Sequence, residues 1–328
     1  MPVTVHRFES RVLVGNPLGD PITRDVHVWT PKDDNPDRPL PTLLAVVGFT
    51  GTGGMLFNVD PLGEDLGRRM DRLVASGACP PCRIVAPDCF TRVGGNQYIN
   101  STATGRYEDY LLDEILPFAE HRYRVMRWGV FGKSSGGYGA FMLGMRHPDV
   151  FAALADHSGD AGFELCYLSD FPAALDAWRE AGGPKAWLDR FWADDNRHRE
   201  KHHKPLNALA MAAHYSPNPS SPHLGIDLPF EVTTGEFRPE VWERWRALDP
   251  VNLAAEKASI EALRQLRLIY VDCGTKDQFS LIWGARALVA RLRRAGLAPE
   301  FEEFDDGHMS VSYRYDVSVP RLVRALAD

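Results

Sequence analysis

Short runs of β-branched and other apolar residues alternate along this chain with longer segments whose apolar positions recur every three or four residues. The short runs predict strands at "RVLVG" (11–15), "RDVHVWT" (24–30), "PTLLAVVGF" (41–49), "CRIVAPD" (82–88), "RWGVFG" (127–132), "FAALADHS" (151–158), "LRLIYVD" (266–272) and "PEFEEFD" (299–305). The longer segments predict helices. "DPLGEDLGRRMDRLVASG" (60–77) offers Asp60 as an N-cap, Pro61 at the first helical position and Gly77 as the stop. Three more, "GRYEDYLLDEILPFAEHRY" (105–123), "SGGYGAFMLGMRHP" (135–148) and "SLIWGARALVARLRRAG" (280–296), carry the same spacing. Strands and helices in alternation imply a mostly parallel sheet covered by helices on both faces.

The rhythm fails between "HSGD" and "DPVNL", a stretch too long for a simple connection inside a compact domain. Residues 159–249 are therefore read as a cap-like insertion, and residues 1–158 and 250–328 as the core. The insertion carries Trp178, Trp187, Trp192, Trp242 and Trp245, with Phe163, Phe171 and Phe191, which is enough bulk to pack on itself. Its turn-rich "YSPNPSSPHLGIDLP" is expected to cross its surface.

Composition narrows the function classes. With 44% hydrophobic and 25% charged residues, the 328-residue chain can bury a large core. Its formal charge of −7 argues against a nucleic-acid footprint. The start, "MPVTVHRFES", lacks the apolar core of a secretion signal, and no run approaches membrane-helix length. Five cysteines fit a reduced compartment, so a cytoplasmic enzyme is expected. The "CPPC" of Cys79 and Cys82 precedes a strand instead of starting a helix and lacks a second pair, which favours a turn over a redox or zinc site. In "RHREKHHK" (197–204), His198 and His202 stand four apart, but the glutamate of a zinc-protease HExxH is displaced to Glu200; a solvated basic helix face is expected.

"GVFGKSSGGYGA" (129–140) carries the candidate chemistry. A phosphate-binding GxxxxGK[ST] would need glycine at 127, where Arg127 stands inside the strand. GxSxG is met by Gly132, Ser134 and Gly136, with a strand before and a helix after, the context of a nucleophile elbow. Such a turn strains the serine, and side chains at the flanking glycines would strike neighbouring backbone.

A serine hydroxyl needs a base, and the base needs an acid to orient it. In the α/β-hydrolase order both follow the serine. "CGTKDQF" after one strand offers Asp277, with Asp272 at the strand end as the alternative, and "DGHMS" after the last strand offers His308. The loop position favours Asp277; Asp272 is the candidate for fixing the turn. His157 is the rival histidine, but it precedes the acid. The oxyanion of an attacked acyl group requires backbone N–H donors, expected from Ser135 and from Phe49 in "VVGFTGTGG", with Thr50 the near alternative and a candidate substrate contact.

With these residues in place the chain resembles the esterase D type of α/β-hydrolase, the group that includes S-formylglutathione hydrolases, enterochelin esterases, feruloyl esterases and mycolyl transferases. The resemblance rests on "GKSSGGYGA", "GFTG", "GTKDQF", "DDGHMS" and "GRYEDYLLDEILPFAEHRY", and spans residues 1–158 and 250–328. It implies the α/β-hydrolase fold, Phe49 and Ser135 as oxyanion donors, and "VGGNQYINSTATG" (93–105) at the mouth of the site with Tyr98 as a substrate contact. Lys133 departs from it, standing where many relatives have histidine. The insertion is longer than in the small esterases, so no acyl or alcohol pocket carries over.

The expected function is a serine carboxylic-ester hydrolase with a Ser134–His308–Asp277 triad and an acyl-enzyme, needing no metal or organic cofactor. Its expected partner is a small-molecule or aryl ester, with neither nucleic acid nor membrane, and assembly as a homo-oligomer is open. The alternatives are an acyltransferase using the same acyl-enzyme and a non-catalytic binding protein on the same fold.

Overall fold

The computed structural model describes residues 3–327. Met1 and Pro2 of "MPVTVHRFES", and Asp328, lie outside the described residues. Eight strands build the main sheet: β1 (Val3–Glu9), β2 (Thr23–Trp29), β3 (Leu40–Val46), β4 (Arg83–Pro87), β7 (Val125–Lys133), β8 (Phe151–His157), β9 (Leu268–Gly274) and β10 (Glu300–Phe304). A two-stranded ribbon, β5 (Asn100–Ser101) with β6 (Gly105–Arg106), stands apart. The sheet order is β1-β2-β4-β3-β7-β8-β9-β10. Pairing is parallel from β4 through β10 and antiparallel at β1–β2 and β2–β4. Among the parallel strands β3, β4 and β8 are almost wholly buried, which explains their unbroken apolar runs.

Helices cover both faces. Alternate side chains of each strand point to opposite faces, so Leu43, Ile84 and Phe131 enter one core while Leu44, Val85 and Val130 enter the other. The first core is closed by α1 (Leu66–Ala75) and the C-terminal α13 (Tyr315–Ala327), through Met70, Leu73, Val319 and Leu322. The second lies under α2 (Tyr107–Asp109), a π-turn over Tyr110–Ile115, α3 (Leu116–Arg122) and α4 (Ser135–Arg146).

The region 159–249 is mostly helical: α5 (Phe163–Cys166), α6 (Phe171–Ala181), α7 (Pro184–Ala193), α8 (His203–Tyr215) and α9 (Pro239–Arg246). Trp178, Trp187, Trp242 and Trp245 are buried in one apolar cluster that runs on into Leu44, Val85 and Val130 of the sheet, so the expected separate core merges with the sheet core, while Trp192 is half-buried and donates its indole N–H to the Arg92 carbonyl at 2.9 Å. Its two ends are tied together. The buried Asp249 carboxylate accepts from the N–H groups of Gly162 (3.0 Å), Phe163 (2.8 Å) and Val251 (2.9 Å), which caps α5 and α10 (Pro250–Leu253) with one side chain. The chain then returns through α11 (Lys257–Leu263), β9, α12 (Leu281–Arg294) and β10.

Two local expectations fail for identifiable reasons. Residues 11–15 form turns, because Glu114 accepts from the N–H groups of Arg11 and Val12 and the Ser10 hydroxyl accepts from Leu13, withdrawing those donors from any ladder. Helix α1 starts at Leu66 with Asp65 as its N-cap, accepting from Arg68 N–H at 3.1 Å. Asp60 instead bonds the Leu62 N–H at 2.8 Å, a local turn that outcompetes the helix.

Candidate active site

β7 ends at Lys133 and α4 begins at Ser135, so Ser134 is the whole of the turn between them. Its backbone stands at φ 60, ψ −129, a region that costs an L-residue on the order of 1–3 kcal/mol. Two anchors hold it: its N–H donates to the His157 carbonyl at 2.9 Å, and its carbonyl accepts from Tyr138 at 3.0 Å. The flanking glycines are required by close approach, since a Cβ at Gly132 would lie 2.3 Å from the Gly136 carbonyl oxygen and one at Gly136 would lie 2.4 Å from that of Val46. Ser134 Oγ makes no capping bond to its helix and remains free for chemistry.

The loops after β9 and β10 open at the same carboxyl edge of the sheet, where parallel sheets place their sites. There His308 Nδ1 lies 2.7 Å from Asp277 Oδ2, both side chains nearly or fully buried. Asp277 Oδ1 accepts from the Phe279 N–H at 2.9 Å, and Gln278 Oε1 accepts from the His308 N–H at 2.8 Å, so the two loops are laced together. Because a carboxylate only accepts, Nδ1 carries the proton and Nε2 is left with its lone pair. Among the described residues no hydrogen bond joins Ser134 Oγ to this imidazole; such bonds commonly tighten only around a bound substrate.

The loop after β3 lies directly against the serine. A Cβ on Gly48 would be 3.1 Å from Ser134 Cβ. Among the described residues, neither the Phe49 nor the Ser135 N–H donates to another loop, turn or side-chain acceptor. Thr50 differs: it is exposed at φ 64 and its N–H is already bound to the Gly94 carbonyl at 2.7 Å. Tyr98 requires a correction. It does not line an opening; it is 2% exposed, and its hydroxyl donates to the Val47 carbonyl (2.6 Å) and accepts from the Val47 N–H (2.8 Å). Tyr98 therefore braces the root of the loop after β3, and most of the segment around it is buried as well.

Asp272, the alternative acid, points away from the Asp277–His308 pair. It pairs with His157, the rival histidine, at 2.7 Å in the core.

Sequence reasoning missed three residues. Asp160 is buried behind the turn, where its Oδ2 accepts from Ser135 Oγ at 3.0 Å; burial raises its pKa. Gln97 donates to the same Ser135 Oγ at 2.7 Å. His203, at the start of α8, stacks on Phe279 (ring centroids 5.3 Å) and meets Phe49 edge-on (5.8 Å), while Phe279 meets His308 edge-on (4.8 Å). The insertion thus reaches the site through the His203 ring as well as through Asp160. Burial lowers the His203 pKa, and it lowers that of Lys133, which forms no ion pair among the described residues. Asp160 was legible in "HSGD" just past a strand end; nothing in "KHHK" marked His203.

Cys79 and Cys82 are buried free thiols in the turn before β4, and the nearness of Cys79, together with burial, pushes the Cys82 thiol up. The basic stretch is not one helical face. His198 is exposed in a turn, and His202 is buried with Nε2 3.0 Å from Asp194 Oδ2, because Trp187 and Phe191 pack against its ring. Among the described residues no three His, Cys, Asp or Glu side chains gather as a metal site, and no helix is long and apolar enough to cross a membrane.

The sheet order and the strand-to-helix serine turn define an α/β-hydrolase-type enzyme. The Esterase family profile, described as "Putative esterase", matches residues 23–319, and the chain belongs to that family of esterases. Among solved structures it is similar to a ferulic acid esterase (22% identity, 98% of each chain covered, TM-score 0.63). It is also similar to an S-formylglutathione hydrolase from Agrobacterium tumefaciens (15% identity, 99% of this chain and 95% of that one, TM-score 0.56). A third is the fluorophosphonate-binding serine hydrolase F of Staphylococcus aureus (14% identity, 99% and 98% covered, TM-score 0.57). A comparison with curated proteins found no match.

Proposed function

We propose that this esterase is a serine carboxylic-ester hydrolase working through an acyl-enzyme. Ser134 Oγ attacks the ester carbonyl as His308 Nε2 takes its proton; the N–H groups of Phe49 and Ser135 meet the oxyanion. His308 then protonates the leaving alcohol, and the collapse leaves the acyl group on Ser134. Water, deprotonated by the same imidazole, releases the acid and restores the serine. Asp277 holds the proton-bearing face of His308 and stabilises its cation.

The observation that carries the reading is the buried 2.7 Å His308–Asp277 contact at the same sheet edge as a serine held at φ 60. The free N–H groups of Phe49 and Ser135 support it, since occupied donors could not serve an oxyanion. The natural ester is a small or aryl one in this reading, and the five buried free thiols support a cytoplasmic setting. The test is hydrolysis of p-nitrophenyl esters from acetyl to decanoyl by the intact chain and by Ser134→Ala. Turnover that disappears in the variant supports the reading, the chain-length optimum sizes the acyl pocket, and turnover that survives the substitution sinks it.

A further inference from the structure

His157 and Asp272 compose a second serine–histidine–aspartate array deep in the core. His157 Nδ1 lies 2.7 Å from Asp272 Oδ1, and His157 Nε2 lies 2.9 Å from Ser318 Oγ on α13. Ser318 and Asp272 are fully buried and His157 is 2% exposed. No substrate reaches such a serine, and its place inside α13 commits the local N–H groups to the helix, so no oxyanion site exists beside it.

Each segment bearing a residue of the proposed catalytic triad is fastened to this array. The His157 carbonyl accepts the Ser134 N–H at 2.9 Å and so holds the strained nucleophile turn. Asp272 sits two residues before the end of β9, and the loop that follows carries Asp277; its carbonyl accepts the Ser158 N–H at 2.7 Å, locking β8 to β9 beyond the last paired residues. Asp272 Oδ2 accepts from Arg314 Nε at 2.9 Å, and Arg314 ends the helical turn that closes the loop carrying His308 after β10. Tyr270 OH donates to the same oxygen at 2.9 Å. Burying a carboxylate among strands is costly unless such donors satisfy it, and breaking a buried pair is strongly destabilising.

We propose that His157 and Asp272, with Ser318, are positioning residues that hold the nucleophile turn, the acid loop and the base loop in mutual register. The proposal rests on the esterase reading for its functional meaning, though its structural content does not. Small misplacements within such a constellation cost rate out of proportion to their size, on the order of a hundredfold for about 1 Å. Loosening the array therefore lowers kcat while leaving KM almost unchanged, because nothing in it touches substrate.

The test compares crystal structures and ester kinetics of the full chain with those of His157→Leu, His157→Asn and Ser318→Ala. Asparagine can keep the donor to Asp272 and loses only the reach to Ser318. We expect His157→Leu to lower kcat by roughly ten- to a hundredfold with KM within about twofold. His157→Asn should recover most of that loss and Ser318→Ala should lose only several-fold. In the His157→Leu crystal the Ser134 turn should leave its positive φ, or the His308–Asp277 contact should lengthen. If His157→Leu does not fold, His157→Asn and Ser318→Ala still carry the test. Folded variants with wild-type kcat and unmoved loops would overturn the proposal. The crystal readout needs no turnover, so a wild-type chain inactive on every ester would sink the esterase reading and leave this one decidable.

Discussion

Two arrays of the same three residue types meet opposite fates in this molecule because of what surrounds them. In the proposed function Ser134 works with the His308–Asp277 pair at the carboxyl edge of the sheet, where loops leave free N–H groups beside a serine kept out of regular structure. Ser318, His157 and Asp272 sit between β8, β9 and α13 with every polar atom turned inward. Histidine–aspartate contacts are 2.7 Å in both. Contact distance therefore does not make a catalytic site; an accessible hydroxyl and unspent oxyanion donors do.

The sharpest way to break this contrast is at the two serines. Ser134→Ala is expected to lower kcat/KM by about 10⁴-fold or more, whereas Ser318→Ala should lose less than about tenfold, both measured with a p-nitrophenyl ester. Equal losses would erase the distinction. The two aspartates come next: Asp277→Asn should lower kcat by up to about 10⁴-fold, through loss of the correct imidazole tautomer. Asp272→Asn should act mainly on folding, costing about 3–5 kcal/mol in a denaturant titration, because it leaves Arg314 and His157 without their shared partner.

Smaller effects probe the loop that only the outer array possesses. Gly48→Ala would place its Cβ 3.1 Å from the Lys133 carbonyl oxygen and Ser134 Cβ, shifting the Phe49 N–H; kcat should fall roughly tenfold to a hundredfold with binding retained. Tyr98→Phe removes both hydrogen bonds to Val47 and should cost about 1 kcal/mol in stability, with a modest kcat loss.

The least visible effect is one of pH. Burial raises the Asp156 pKa to about 7, beneath the serine turn, where a Cβ on Gly137 or Gly159 would lie 2.4 or 2.1 Å from its Oδ1. The fold thus holds a proton that the unfolded chain releases near pH 4, so stability declines as pH rises from there to about 7 and stays lower above it. Asp156→Asn removes this loss. Its melting temperature relative to wild type should be more favourable at pH 8 than at pH 5, and the same difference at both pH values would show that the carboxyl is already ionised in the fold at pH 5.

Much of this site was readable before folding was considered. The strand–GxSxG–helix pattern announced Ser134, and the strand ends announced Asp277 and His308, because chain order and strand termini are local properties that parallel topology converts into proximity. Where reading failed, a distant partner had intervened. Glu114 took the N–H groups that would have made 11–15 a strand, and Val47 took the Tyr98 hydroxyl that looked available at the mouth. His203 was illegible because its neighbours Phe49 and Phe279 lie far from it in sequence.

By itself, then, the sequence determined the alternating architecture, the serine turn between strand and helix, and the esterase class, since periodicity and turn stereochemistry act over a few residues. Only the tertiary structure decided which aspartate faces which histidine. Asp272 and Asp277 are five positions apart, yet one lies on strand β9, next to the sheet edge, and is buried against His157 and Arg314, while the other turns out into the loop beside His308. That choice depends on β9 being flanked by β8 and β10 and covered by α13, an arrangement of strands and helix that no local pattern encodes.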